Sequence, residues 1–195
     1  AEVVKLFREH IGKNVSEVID KYSDSLIDST EGLFSEDLHR LRKNRSNLRG
    51  FKYTLKTLRR REIICLRRTD PAVMVRVSTP FHLVHNPLYQ MYYSLVRIAD
   101  PALEHVDNNF SPVDRTDAEY VRYLRGKLVI LMNETAGNFA ALNLADGDEI
   151  RAECKALRNE ISEFRNKIMV EIQTHDKNIT STRVAHVAGN RTDCR

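Results

Sequence analysis

Three carboxylates on one predicted helix could bind a metal. In the run LVRIADPALEHVDNN, residues 95–109, Asp100, Glu104 and Asp107 are spaced at i, i+4 and i+7. An α-helix advances about 100° per residue, so all three fall along one helix face. Carboxylate oxygens suit Mg, Ca, Mn or Fe, and the spacing predicts a divalent or iron-type metal site. The alternative is a polar face whose acids pair with a neighbouring basic helix.

A second chemical feature is the density of basic residues between Arg40 and Arg68. This stretch holds twelve Lys or Arg residues and one acid, Glu62, so its formal charge is twelve minus one, or +11. A basic helix of this kind is typical of surfaces that contact anionic lipid, a phosphate-bearing ligand or nucleic acid. The residues predicted to form a partner or membrane surface are Arg40, Arg42, Lys43, Arg45, Arg49, Lys52, Lys56, Arg59, Arg60 and Arg61.

The sequence also offers an internal explanation for this charge. Residues 14–37 carry seven acids against a single base, Lys21, and a helical hairpin would set them beside the basic stretch. Surface ion pairs contribute only roughly 0 to 1 kcal/mol each. A solvated, partly self-neutralised face is therefore the alternative to a binding surface. Nucleic acid is the less favoured partner, because the sequence has no RNP-like aromatic run, helix-turn-helix spacing or GxxG loop.

Helices must position these residues, because apolar residues recur at helical spacing along almost the whole chain. The pattern predicts a first helix ending near Leu33 and a second from Arg40 to Arg68. It predicts a third with Asn86 as N-cap and Pro87 as first residue. A loop at 108–114 and a turn at 145–148 separate two further helices, and the last apolar stripe runs from Ile150 to Ile172. Helices joined by short turns bury their stripes against each other, so the predicted fold is an all-α antiparallel bundle.

The order of these elements contains a faint internal repeat. A long helix, a tight polar turn and a charged helix occur near residue 35 and again about 110 residues later. This repeat predicts two tandem three-helix units, residues 1–109 and 110–195, in one compact domain. The second unit lacks a full third helical pattern after Asp176, so its last helix is expected to be short or frayed.

Composition narrows the function classes. The 195 residues have a net charge of +4, and the longest apolar run, Leu128 to Met132, is five residues where a bilayer span needs about 20. The start of the chain lacks the pattern of a signal peptide. The three cysteines, Cys65, Cys154 and Cys194, form no CxxC pair, which indicates a reducing, cytoplasmic location.

His82 and His85 at i, i+3 could ligate a metal, although cap or loop histidines are commoner. A nucleophile elbow, Walker loop, HExxH motif and dinucleotide fingerprint are all absent, so we expect no enzyme.

The segment around Asp100 resembles the signature of the PhoU family, which reads approximately L-E-R-I-G-D-H-A-x-N. The matching residues here are Leu95, Arg97, Ile98, Asp100 and Ala102. The resemblance implies two three-helix bundles in tandem and a role in phosphate signalling. PhoU-like domains also occur as cytoplasmic tails of sodium/phosphate and other inorganic phosphate transporters. The stretch from Leu41 to Arg68, together with EHVDNN, is similar to such tails.

This sequence departs from the family pattern at the metal site. The family binds metal through an acid followed four residues later by Asp, but the first position here is Val96, so only Asp100 carries over. Glu104 occupies the family's Asn position and could restore a carboxylate one turn later. In the second repeat, Thr182 and His186 replace both expected acids, so no metal site is expected there.

These observations lead to four hypotheses about function. The first is a non-catalytic regulatory domain of a phosphate transporter at the inner face of the cell membrane. Its partner would be a transmembrane transporter core, with an anionic membrane surface or a second copy as further contacts. The second is a free-standing phosphate-signalling adaptor. The third is a nucleic-acid-binding protein that uses the basic helix, and the fourth is a metal-dependent activity built on Asp100, Glu104 and Asp107.

Overall fold

The described part of the chain is entirely helical. The computed structural model describes residues 2–68, 70–141 and 147–175, and it contains five α-helices and no strand within those ranges. They are α1 (Glu2–Phe34), α2 (Leu38–Arg67), α3 (Pro71–Asp107), α4 (Arg115–Ala140) and α5 (Gly147–His175). The prediction of an all-α helical bundle is confirmed. The sixth helix predicted after Asp176 lies outside the described residues.

Aspartate side chains set the start of three of these helices. Asp37 accepts a hydrogen bond from the backbone N–H of Arg40, Asp70 from that of Ala72, and Asp114 from that of Thr116. Each bond satisfies a backbone donor that has no partner inside the helix. The backbone N–H groups of Thr116 and Asp117 also lower the pKa of the Asp114 carboxyl.

The predicted start of the third helix at Asn86 and Pro87 is wrong. Helix α3 begins sixteen residues earlier, at Pro71, where Asp70 is the N-cap and proline occupies the first turn. Pro87 therefore lies inside the helix, where it removes one backbone hydrogen bond. Val84 and Leu88 on either side of it pack into the main core. We attribute the continuity of α3 to this packing, which outweighs the missing bond.

Helix α1 is the centre of the bundle. It contacts α2 and α3 with one part of its surface and α4 with another; α2 also contacts α3, and α5 contacts α4. The side-chain contacts described below make α2 antiparallel to both α1 and α3, and α4 antiparallel to α1. Tyr22 of α1 donates a hydrogen bond to the backbone oxygen of Leu88 on α3 at 3.0 Å. Burial raises the pKa of this phenol.

Two apolar clusters hold most of the bundle together. The main cluster combines residues of α1, α2, α3 and α4, with Tyr22 and Leu55 each only 1% exposed. A second cluster joins α4 to α5 through Leu124, Leu131, Leu157, Phe164 and Ile168. At the end of α4, the backbone approaches α1 so closely that a Cβ atom built on Gly12 would lie 2.9 Å from the Cα of Ala140. Glycine is required there because no side chain fits between the two helices.

Candidate docking surface on the second helix

About half of the basic residues of α2 form a stripe along the boundary between α2 and α3, and we call this boundary the α2–α3 seam. Six of them follow the spacing of three and four residues that places side chains on one helix face: Arg42, Arg45, Arg49, Lys52, Lys56 and Arg59. Because α2 and α3 are antiparallel, the start of this stripe lies beside the end of α3. Its later residues lie beside the middle of α3.

The beginning of the stripe is neutralised by the acids predicted to bind metal. Arg45 Nε lies 2.9 Å from Asp100 Oδ1, and Arg42 Nη2 lies 2.8 Å from Asp107 Oδ1. A third arginine, Arg40, pairs with Asp28 of α1 at 2.8 Å. Two of the three predicted metal ligands therefore form ion pairs with arginines of the neighbouring helix, which is the alternative given above for the acidic face.

The three carboxylates keep the shared face that their spacing predicted, all of them within α3. Among the described residues, no group of three or more His, Cys, Asp or Glu side chains has a geometry that could hold a metal ion. The metal site at Asp100, Glu104 and Asp107 stays a prediction. For a metal to bind there, Asp100 and Asp107 would have to exchange their arginine partners for it.

The remainder of the basic surface has no acidic partner in the described ranges. Moving back along α3 from Asp100 by seven residues, the distance of two helical turns, leads to Tyr93, an uncharged residue. The ammonium of Lys52 lies over its ring, 5.7 Å from the ring centroid. Seven of the ten predicted surface residues form no ion pair with any described residue, and we call them the unpaired cations: Lys43, Arg49, Lys52, Lys56, Arg59, Arg60 and Arg61.

The acids of residues 14–37 neutralise less of the basic surface of α2 than we predicted from a helical hairpin. Of the seven acids between residues 14 and 37, Asp28 is the one recorded in an ion pair with α2. Asp37 caps α2 instead, and Glu31 turns to α4. The exposed Asp24 has no ion pair within the described part of the chain. The +11 charge is therefore compensated mainly near the start of α2, by α1 and α3 together.

Exposed tyrosines accompany the unpaired cations. Tyr53 of α2 is 74% exposed and Tyr93 of α3 is 45% exposed. The two lie at the same level of the antiparallel pair, because Arg45 faces Asp100 and Glu62 faces His85 on either side of them. The aromatic side chains therefore lie level with the unpaired cations. Sequence analysis did not single them out, although their position seven residues before Asp100 and within the basic stretch was a usable signal.

Directly behind this surface is a buried polar cluster that sequence analysis also missed. Glu62 is 3% exposed and its Oε2 contacts Nε2 of His85, which is 4% exposed. The other carboxylate oxygen of Glu62 accepts a hydrogen bond from the Asn14 amide at 3.1 Å. His85 thus lies in the core beside a carboxylate rather than in a loop. His82 has no described side chain. The cluster ties α1, α2 and α3 together below the unpaired cations.

Two further features lie outside this surface, a cavity and a polar network. A cavity of about 380 Å³ between the end of α4 and the start of α5 is lined by Glu134, Gly137, Asn138, Glu149, Ile150 and Glu153. A polar network also joins α1 to α4: Glu31 accepts hydrogen bonds from Arg122 and Arg125. These arginines lower the pKa of the Glu31 carboxyl, with the bond from Arg122 the larger cause.

We next asked whether the helices could span a membrane and whether the chain resembles known proteins. In the ranges that the structure describes, every helix is too polar or too short to cross a bilayer. Comparison of the sequence with models of protein families, and comparison of the chain with curated proteins and solved structures, finds no match. The arrangement of charge on α2 and α3 is therefore the basis for assigning a function.

Proposed function

We propose that this chain is a non-catalytic regulatory domain of a phosphate transporter, located at the inner face of the cell membrane. Its helix α2 faces the membrane or the transporter core, and changes in these contacts alter phosphate uptake. The resemblance of residues 95–104 to the PhoU signature supports the link to phosphate. The observation that carries the proposal is the set of seven unpaired cations along α2.

The charge arrangement favours a surface that meets an anionic partner. Cations that only solubilise a domain are usually interspersed with acids. On α2, Glu62 is the single acid among the residues that follow Arg40, and it is buried. An anionic lipid surface attracts each nearby Lys or Arg by about 1 kcal/mol. Several unpaired cations acting together would hold the domain against the bilayer that contains the transporter.

Cell fractionation is the first test. An antibody against this domain, used on the source cell, measures the size of the native polypeptide and whether it pellets with membranes. We expect a membrane-bound species much larger than the 22.6 kDa of this chain. A species of about that mass that stays in the supernatant would contradict the transporter-tail assignment and support a free-standing adaptor.

The second test measures regulation. Lys52→Gln, Lys56→Gln and Arg59→Gln together remove three unpaired cations from the native polypeptide. We expect radiolabelled phosphate uptake by cells carrying this variant to respond less to external phosphate than in the wild type. The matched control removes three charges from α5, by Lys155→Gln, Arg158→Gln and Arg165→Gln. Unchanged uptake in the α2 variant, at equal protein level, would refute the regulatory role.

A further inference from the structure

The α2–α3 seam is divided into two parts of different electrostatic character. At its first part, Asp107 and Asp100 neutralise Arg42 and Arg45. Further along α2, Tyr93 occupies the level where another acid would be needed, and Lys52 lies over its ring. The positive field is therefore concentrated on the second part of the seam. An anionic partner is therefore attracted to that part of the seam, although the whole stretch from Arg40 to Arg68 is basic in sequence.

We infer that the part of the seam from Arg49 to Arg59 is a phospholipid-binding surface on which Tyr53 and Tyr93 are interfacial anchors. It binds the headgroups of an anionic bilayer, and the two tyrosines enter the headgroup layer between the cations. The inference rests on the membrane-facing orientation in the proposed function, but it does not require that the transported ion is phosphate.

The exposed tyrosines favour lipid over a purely ionic partner. Tyr53 extends from the middle of the exposed face of α2, with 74% of its surface accessible. A tyrosine has an apolar ring and a polar hydroxyl, and such side chains are enriched where hydrocarbon meets water. Lys52 and Lys56 flank Tyr53 in sequence and have long apolar stems that can lie along a membrane surface while the ammonium groups reach phosphates.

The number of unpaired cations fixes the size of the expected effect. One Lys or Arg near an anionic membrane contributes about 1 kcal/mol, or roughly a fivefold change in binding. Removing three should therefore weaken binding to anionic vesicles by about 100-fold. The attraction should decline with added salt, because the Debye length shortens to about 3 Å at 1 M ionic strength.

Vesicle co-sedimentation tests the position of the surface. The full chain is mixed with vesicles of phosphatidylcholine alone or with an equal share of phosphatidylglycerol. We expect binding to the anionic vesicles, lost in the variant with Lys52→Gln, Lys56→Gln and Arg59→Gln. The α5 control described above has the same net charge and should retain most of the binding. Equal loss in both variants, or equal binding to both kinds of vesicle, would overturn the inference.

A fluorescent probe tests the tyrosine anchor separately. The sequence contains no tryptophan, so Tyr53→Trp creates a protein with a single tryptophan at the proposed anchor. We expect its emission to shift to the blue on anionic vesicles and to be quenched by brominated lipid. Tyr123→Trp on α4, at a tyrosine that is also exposed, is the control and should show neither effect. A Tyr53→Trp protein that binds vesicles without a blue shift would refute the anchor.

Nucleic acid is the competing polyanion. Fluorescence anisotropy with a labelled duplex and a labelled single strand, at the same ionic strength as the vesicle assay, measures this alternative. Binding to either that exceeds vesicle binding, and that is lost in the same α2 variant, would overturn the lipid assignment. The two proposals fail separately: vesicle binding with unaltered phosphate uptake refutes the regulatory role alone, whereas altered uptake without vesicle binding refutes the lipid surface alone.

Discussion

Replacing Glu31 by glutamine tests whether an ion-pair network fixes α4 against α1. Oε2 of Glu31 accepts a hydrogen bond from Arg122 Nη2 at 3.0 Å, and Oε1 accepts one from Arg125 Nη1 at 2.5 Å. Arg125 also donates to the hydroxyl of Thr30 at 2.7 Å. Glu31→Gln keeps the size of the side chain but removes its charge, which leaves both arginines without a carboxylate.

The burial of the three side chains sets the expected magnitude. Exposed fractions are 22% for Glu31, 16% for Arg125 and 38% for Arg122, so the network lies between a surface pair and a buried one. Surface pairs contribute roughly 0 to 1 kcal/mol, and breaking a buried pair costs about 3 to 5 kcal/mol. We therefore expect Glu31→Gln to lower the free energy of unfolding by about 2 kcal/mol at neutral pH. In a chain of this length that corresponds to a fall of about 4 to 8 °C in Tm.

The pH dependence provides the sharper test. The arginines hold the pKa of the Glu31 carboxyl below its usual value. Folding therefore favours the ionised form of this carboxyl. The resulting stability is fully present above the unfolded pKa, about 4.3, and is lost as pH falls through the lower folded pKa. The difference between wild type and Glu31→Gln should therefore be constant near neutrality and shrink below about pH 4.

Urea unfolding followed by circular dichroism, at neutral and at acidic pH, measures both effects. Asp24→Asn is the matched control on the same helix, because Asp24 is exposed and forms no ion pair with a described residue. It should change the free energy of unfolding by less than about 0.5 kcal/mol. A cost for Glu31→Gln no larger than this, or one that does not shrink in acid, would refute the reasoning.

Two further substitutions test the core. Glu62→Leu should cost about 3 to 5 kcal/mol because it removes a buried carboxylate that contacts His85 and accepts a hydrogen bond from Asn14, whereas Glu62→Leu with His85→Leu should recover much of that loss. Urea titration of the single and double variants decides this, and equal costs would contradict it. Gly12→Ala should destabilise by about 1 to 3 kcal/mol through the clash with Ala140, whereas Gly50→Ala, with open space around it, should stabilise by about 0.5 to 1 kcal/mol. Thermal unfolding distinguishes them, and a Gly12→Ala protein at least as stable as the wild type would exclude the close approach of α1 to α4.

Much of the helical framework followed from local pattern. The stripe Val15, Ile19, Tyr22 and Leu26 is buried along its whole length. Apolar residues spaced three to four apart lie on one face of an α-helix, and that face packs into the core. The third helix was placed wrongly at its start. The proline at position 87 was interpreted as a first-turn residue, although the aspartate–proline pair at 70 and 71 also had the features of a helix start. Local signals of equal strength could not decide between these two sites.

The pairing of charges depended on which helices are neighbours. The sequence determined that residues 40–68 form a basic helix and that Asp100 and Asp107 share a face. The register of α2 against α3 decided that these acids meet Arg45 and Arg42 and that Tyr93 lies beside the unpaired cations. Residues that meet across this seam are more than forty positions apart in the chain. Surface ion pairs are also too weak to leave a recognisable pattern in the sequence. The hydrophobic stripes bring the helices together, and the packing of the helices then determines which charged side chains form ion pairs and which stay exposed at the surface.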